Sequence, residues 1–99
     1  MKSIMQSDKR CYFCGKVYGL ERHHIMAGTA NRRLSERYGL WIWCCHECHV
    51  GTFGVQYDKQ KNWDIKATAQ AQFEEIYGHE MWMKTFYKNY IFREVEGYV

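Results

Sequence analysis

Two hydrophobic patterns divide the chain. From Asn62 onwards apolar residues recur at helical spacing, with Ile65, Ala69, Phe73 and Ile76 in one stripe and Trp82, Phe86 and Tyr90 in a second. Residues three or four apart share a helix face, so two helices are expected, the first capped by Asn62 and ended by Gly78. Both stripes should be core, with His79 on the surface between them. Upstream the pattern is that of strands. Leu40-Trp41-Ile42-Trp43-Cys44 is a compact apolar run, and Val17 to Met26, bounded by Ala27-Gly28-Thr29, predicts a strand ending in a loop. The two strands can pair. Between them Asn31 to Gly39 predicts a short helix or turn closed by glycine, with Leu34 and Tyr38 on one face. Val50 to Tyr57 carries two glycines and predicts a loop. Met1 to Lys9 is polar and unpatterned, which predicts a flexible tail before one domain over 10–99. The expected class is α+β, a small hairpin covered by C-terminal helices.

Composition limits the alternatives. The 99 residues are 46% hydrophobic and 17% aromatic with no proline, which excludes a disordered chain. A chain this short buries a modest share of its surface, so a structural metal is a natural supplement to the core. No apolar run approaches the roughly 20 residues of a membrane helix, and Met1 to Gln6 lacks a signal peptide's apolar centre. A cytoplasmic protein, with no membrane partner, is expected. In that compartment thiols stay reduced, so the cysteines point to metal rather than disulfides.

The cysteines supply the site. Cys11-Tyr12-Phe13-Cys14 and Cys45-His46-Glu47-Cys48 are two C-x2-C pairs separated by residues 15–44, a ligand set for one tetrahedral structural Zn2+. Cys44 and Cys45 compete for one ligand position; the C-x2-C spacing selects Cys45 and leaves Cys44 as a small buried side chain. Between the pairs lies the doublet His23-His24, and His49 follows the last thiol. Neighbouring strand residues point to opposite faces, so the doublet cannot aim both rings squarely at one metal. That suits a division of labour, one imidazole on a cation and the other taking a proton from water.

Charge adds a partner. Residues 1–37 hold eight Lys or Arg against Asp8, Glu21 and Glu36, a balance of +5, while the remainder carries −2. The excess surrounds the doublet and fits nucleic acid. Arg32, Arg33 and Arg37 are the expected contacts to a DNA backbone, since the guanidinium fork matches phosphate.

The order of knuckle, His-His doublet, hairpin return and C-x2-C-H resembles the HNH nucleases of the ββα-metal superfamily. More closely, His23-His24-Ile25, Ala30 to Leu40, Cys45-x2-Cys48-His49, Gly51-Thr52, Gly54-Val55 and Phe86 to Tyr90 resemble phage-type chains of the recombination-enhancement, RecA-dependent nuclease family. The likeness spans Cys11 to Tyr90. It implies a zinc-stapled ββα-metal core and a metal-dependent DNA endonuclease. His23 would ligate the catalytic cation, His24 act as general base and His49 serve as second ligand. The cation would be Mg2+ or Mn2+, or else Zn2+, and a recombinase filament is the implied partner. Two departures stand out. Gly39-Leu40-Trp41 lacks the Asn common near the middle strand of HNH chains, and Gln56 stands where related chains have His. A glutamine carbonyl can coordinate Mg2+ but is a poor partner for zinc, so a degenerate nuclease retained as a DNA- or protein-binding zinc module is the alternative.

Overall fold

A computed structural model describes residues 1–91; the end of the expected 10–99 domain, residues 92–99, lies outside them. Over the described residues the fold is a small α+β arrangement of one two-stranded antiparallel sheet and four helices. β1 (Leu20–His24) pairs with β2 (Trp41–Cys45) in the register His24 with Trp41, Arg22 with Trp43 and Leu20 with Cys45. The alternation of strand side chains then sorts the hairpin. Arg22 and His24 share one face with the tryptophans, and Glu21 and His23 share the other with Cys44 and Ile42.

The chain between the strands is α1 (Thr29–Tyr38), which ends where Gly39 adopts φ 71 and its amide caps the Ser35 and Glu36 carbonyls. A Cβ at Gly39 would also meet the Lys2 carbonyl oxygen, so both conformation and space demand glycine there. Ser35, fully buried, exchanges hydrogen bonds with the backbone of Met26 and so ties α1 to the end of β1. After β2 come α2 (His46–Val50), α3 (Lys59–Tyr77) and α4 (His79–Phe86).

The core lies between the sheet and α3 and α4: Ile25, Leu40, Ile42 and Val55 meet Ile65, Ala69, Phe73 and Trp82. Phe73 is its hub, with the rings of Tyr38, Trp82 and Tyr77 at 5.2, 5.3 and 4.7 Å. Offset and edge-on ring pairs of this kind add about 1 kcal/mol each beyond burial. Gln70, fully buried among them, has its amide satisfied: its Oε1 accepts from the Tyr90 amide at 2.7 Å and its Nε2 donates to Asn89 and Glu74. That clamp holds residues 87–91 across α3. Among the described residues no helix is long and apolar enough to cross a membrane.

Four expectations are corrected. The tail is not free: Ser3 Oγ donates to the Trp41 carbonyl, the Trp43 amide donates to Gln6 Oε1, and the Ile4 amide donates to the Gly39 carbonyl. Residues 1–6 therefore satisfy backbone groups at the open edge of β2, while Ile4 and Met5 pack on the core. Asn62 does not cap α3; Asp58 does, accepting from the Lys61 amide, and Asn62 instead donates to the Val55 carbonyl. Ile76 is 55% exposed, because the last turn of α3 packs through Tyr77 against Tyr38 and Phe73. Tyr90 lies beyond α4, which ends at Phe86 with Tyr87 left-handed at φ 64, yet its ring still packs on Trp63 and Trp82. His79 is exposed as expected, bonded to Glu74.

Candidate metal centre and histidine cavity

The first knuckle is a closed turn. The Gly15 amide donates to the Cys11 carbonyl and the Cys11 amide to the Lys16 carbonyl, with Gly15 at φ 81. The Tyr12 amide then docks on the Trp43 carbonyl, which brings the knuckle to the end of β2. Cys45 ends that strand and Cys48 follows in α2, and the sulfurs of Cys11, Cys14, Cys45 and Cys48 all lie within 4.8 Å of one another. Four convergent thiols are a donor set suited to zinc. Ionisation is shared unequally among them. Burial opposes a thiolate at Cys11, but the amides of Cys45, Cys14 and Phe13 outweigh it and bring its pKa down to about 6, while burial and neighbouring sulfurs push Cys48 up. Cys44 points to the opposite face of β2, is wholly buried, and is pushed up to about 12 by that burial. Cys45, not Cys44, belongs to the cluster.

One residue beyond Cys48 is His49, whose ring centroid lies 5.1 Å from that of His23. His23 is on the core face of β1, 7% exposed, and its Nε2 has no hydrogen-bond partner, the sole such buried side-chain atom among the described residues. Burial, then the charges of His49, His24 and Lys66, push its pKa down to about 4. His23 is therefore a neutral imidazole at ordinary pH. A buried imidazole nitrogen without a partner costs on the order of 1–3 kcal/mol. A cation is the partner that donor chemistry fits, and His49 beside it is a second imidazole donor.

Glu21 orients His49. Its two carboxylate oxygens each lie 2.8 Å from a histidine Nδ1, one of His49 and the other of His46. Those bonds, His49's first, hold the Glu21 carboxyl below its usual range. An ionised carboxylate only accepts, so Nδ1 of His49 carries a proton, and in the neutral ring Nε2 keeps its lone pair. The loop after α2 closes back on the same residue: the Val55 amide donates to the Cys48 carbonyl and the Gln56 amide to the His49 carbonyl. Gly54 makes that return possible, since a Cβ there would stand 2.8 Å from the His49 carbonyl carbon and oxygen.

These pieces line one open cavity of about 740 Å³. His23, His24, His49, Gln56 and Arg32 are brought together in its wall, joined by Lys59, Asn62 and Lys66 from α3. No family model, curated protein or solved structure matches this chain. The site must therefore be judged on its own chemistry. Arg33 and Arg37 do not line the cavity; both are exposed on α1, Arg37 against its neighbour Tyr38. The contribution of α3 was absent from the sequence reading. Its signal was available, for Lys59, Asn62 and Lys66 recur at i, i+3 and i+7, the spacing of one helix face.

His24, across the strand from Trp41, faces α1. Its Nε2 lies 2.7 Å from Glu36 Oε2, and Arg22 Nη1 reaches both Glu36 oxygens at 3.0 and 2.8 Å. The Arg22 guanidinium in turn packs on Trp41, 3.7 Å from the ring centroid.

Proposed function

We propose that the protein is a divalent-metal-dependent DNA endonuclease of the HNH, ββα-metal kind, with Cys11, Cys14, Cys45 and Cys48 as a structural zinc site. The observation that carries the reading is the buried, unpartnered Nε2 of His23 beside His49 in an open cavity with basic walls. His23 and His49 would hold the cation, with the Gln56 carbonyl as a third donor. Bound there, Mg2+ or Mn2+ supplies positive charge beside the scissile phosphate and its leaving oxygen. The chain's residues do the rest. His24 accepts a proton from water as the water oxygen bonds to phosphorus; the bond from phosphorus to the leaving sugar oxygen breaks, and that oxygen is protonated from solvent. Arg32, Lys59 and Lys66 offer cationic contacts to the phosphates on either side. The family likeness suggests a recombinase filament as partner.

Gln56, an amide where the related pattern has an imidazole, favours a second reading: a zinc module that binds DNA or protein without cutting it. A nicking assay on supercoiled plasmid and on single-stranded DNA, with Mg2+, Mn2+ and chelator arms, separates the two. Cleavage that needs a divalent cation and disappears in His24→Ala supports the nuclease. No cleavage with any cation, and cleavage appearing only in Gln56→His, supports the module.

A further inference from the structure

We propose that Glu36 is the positioning residue of His24 and makes Nδ1, not Nε2, the nitrogen that accepts the proton. Its catalytic part rests on the nuclease reading; the tautomer rests on the hydrogen-bond geometry and on Glu36 being an ionised carboxylate.

The Glu36 carboxylate is pinned from two sides. Arg22 donates to both oxygens at 3.0 and 2.8 Å, and Oε2 also meets His24 Nε2 at 2.7 Å. The Arg22 guanidinium, first among the causes, holds the Glu36 carboxyl below its usual range. An ionised carboxylate has no proton to give, so the proton between Oε2 and Nε2 belongs to the imidazole. A neutral ring that donates from Nε2 keeps its lone pair on Nδ1. Among the described residues no hydrogen bond engages that Nδ1, and His24 lines the cavity.

The support behind the carboxylate is stiff. Arg22 and His24 stand two residues apart on one face of β1, over their cross-strand partners Trp43 and Trp41. The guanidinium lies 3.7 Å from the Trp41 ring centroid and 5.2 Å from that of Trp43, a contact that restricts its rotamers. Glu36 arrives from α1, whose Ser35 is bonded to the Met26 backbone. The general base is thus held by two elements whose separation is fixed in the core. The contrast with Glu21 is instructive: that carboxylate takes Nδ1–H of His49 and frees Nε2, whereas Glu36 takes Nε2–H of His24 and frees Nδ1. Two carboxylates impose opposite tautomers on two histidines of one cavity.

Two measurements on the full chain test this. Long-range proton–nitrogen correlation spectra, recorded above the ordinary imidazole pKa and assigned with His24→Ala, report which ring nitrogen of His24 bears the proton. Wild type should show the Nε2–H form alone, and Glu36→Ala a mixture. Steady-state cleavage should show kcat lower by about tenfold to a hundredfold in Glu36→Ala, with KM, DNA affinity and zinc content unchanged. Glu36→Gln, whose carbonyl still accepts from Nε2–H but cannot impose the tautomer by charge, should recover part of the loss. An Nδ1–H signal in wild type overturns the tautomer assignment. Unchanged kcat in Glu36→Ala, or a loss confined to KM, overturns the positioning role. Absence of cleavage by wild type with every divalent cation sinks the nuclease reading and the catalytic part with it, while the spectrum still decides the tautomer.

Discussion

The cysteine cluster and the histidine cavity meet on α2, through the neighbours Cys48 and His49, and they differ in what they leave open. In the first, four sulfurs from two segments converge within 4.8 Å and supply as many donors as a tetrahedral zinc site takes. In the second, two imidazoles meet at 5.1 Å and one buried nitrogen has no partner, with about 740 Å³ of open space in front of it. Structural zinc sites close their coordination, whereas catalytic sites keep a position for water or substrate. The pairing teaches a division: one site sets where α2 lies, and the other uses that placement to present His49.

The sharpest break of the comparison is Cys48→Ser. If the cluster is the staple, zinc is lost and the tertiary fold with it, since structural zinc contributes about 10–16 kcal/mol in small domains; elemental analysis and near-UV circular dichroism read this. Cys44→Ala, at the buried thiol outside the cluster, should retain zinc and lose only about 1–2 kcal/mol of packing.

Next comes the cavity. On the proposed nuclease reading, His24→Ala should lower cleavage by about 10²-fold or more while zinc content and DNA affinity hold. On the same reading, His23→Ala should weaken cation binding instead, so that added Mn2+ restores part of the rate. Retained activity in His24→Ala would remove the division of labour between the two histidines.

The third test is of pH. His23 titrates near 4 in the fold, against 6.5 for the free side chain. The unfolded chain therefore binds more protons between those values, and the contribution is full above the window and lost as pH falls through it. The loss is on the order of 3 kcal/mol. Because thiolate ligands also protonate in acid, the informative quantity is the difference between wild type and His23→Gln in thermal unfolding. The difference should shrink as pH falls from about 6.5 towards 4; a constant offset would show that His23 titrates normally.

The smallest expected effect separates the arginines. If the cavity takes DNA as proposed, Arg32→Ala should weaken that binding by about 1 kcal/mol and reduce the salt slope by about one phosphate contact. The double change Arg33→Ala with Arg37→Ala should do less, because neither residue reaches the cavity.

What was legible in the sequence was what short spacing determines. The C-x2-C pairs, the doublet on a strand and the return of the second strand to the cluster are set by local chain geometry, and they stand where expected. The cap of α3 was misplaced because its first turn, Lys59-Gln60-Lys61, is polar and the apolar stripe begins only at Ile65. Residues 1–6 left no periodic trace, since they dock through backbone groups and the side chains of Ser3 and Gln6. Lys59, Asn62 and Lys66 have the composition of a solvated face, and Glu21 and Glu36 counted only as charges. Their roles depend on contacts across 12 to 28 residues of chain, from Glu36 to His24 and from Glu21 to His49. Spacing alone does not encode such contacts.

The N-terminal segment has a further consequence, for solubility. A sheet of two strands offers the backbone of another chain a place to add, and unpaired strand edges are where folded proteins begin to aggregate. Ser3, Gln6 and the Tyr12 amide occupy the carbonyls of Trp41 and Trp43 and the amide of Trp43. Ile4 and Met5 of the same segment pack against the core, and Trp41 and Trp43 are the β2 residues whose backbone it covers. Without that covering, β2 would present bare backbone flanked by indoles, the combination that recruits a second β2. Residues 1–6 cover this edge of β2, and deleting them should raise aggregation in light scattering before it alters the chemistry of the cavity.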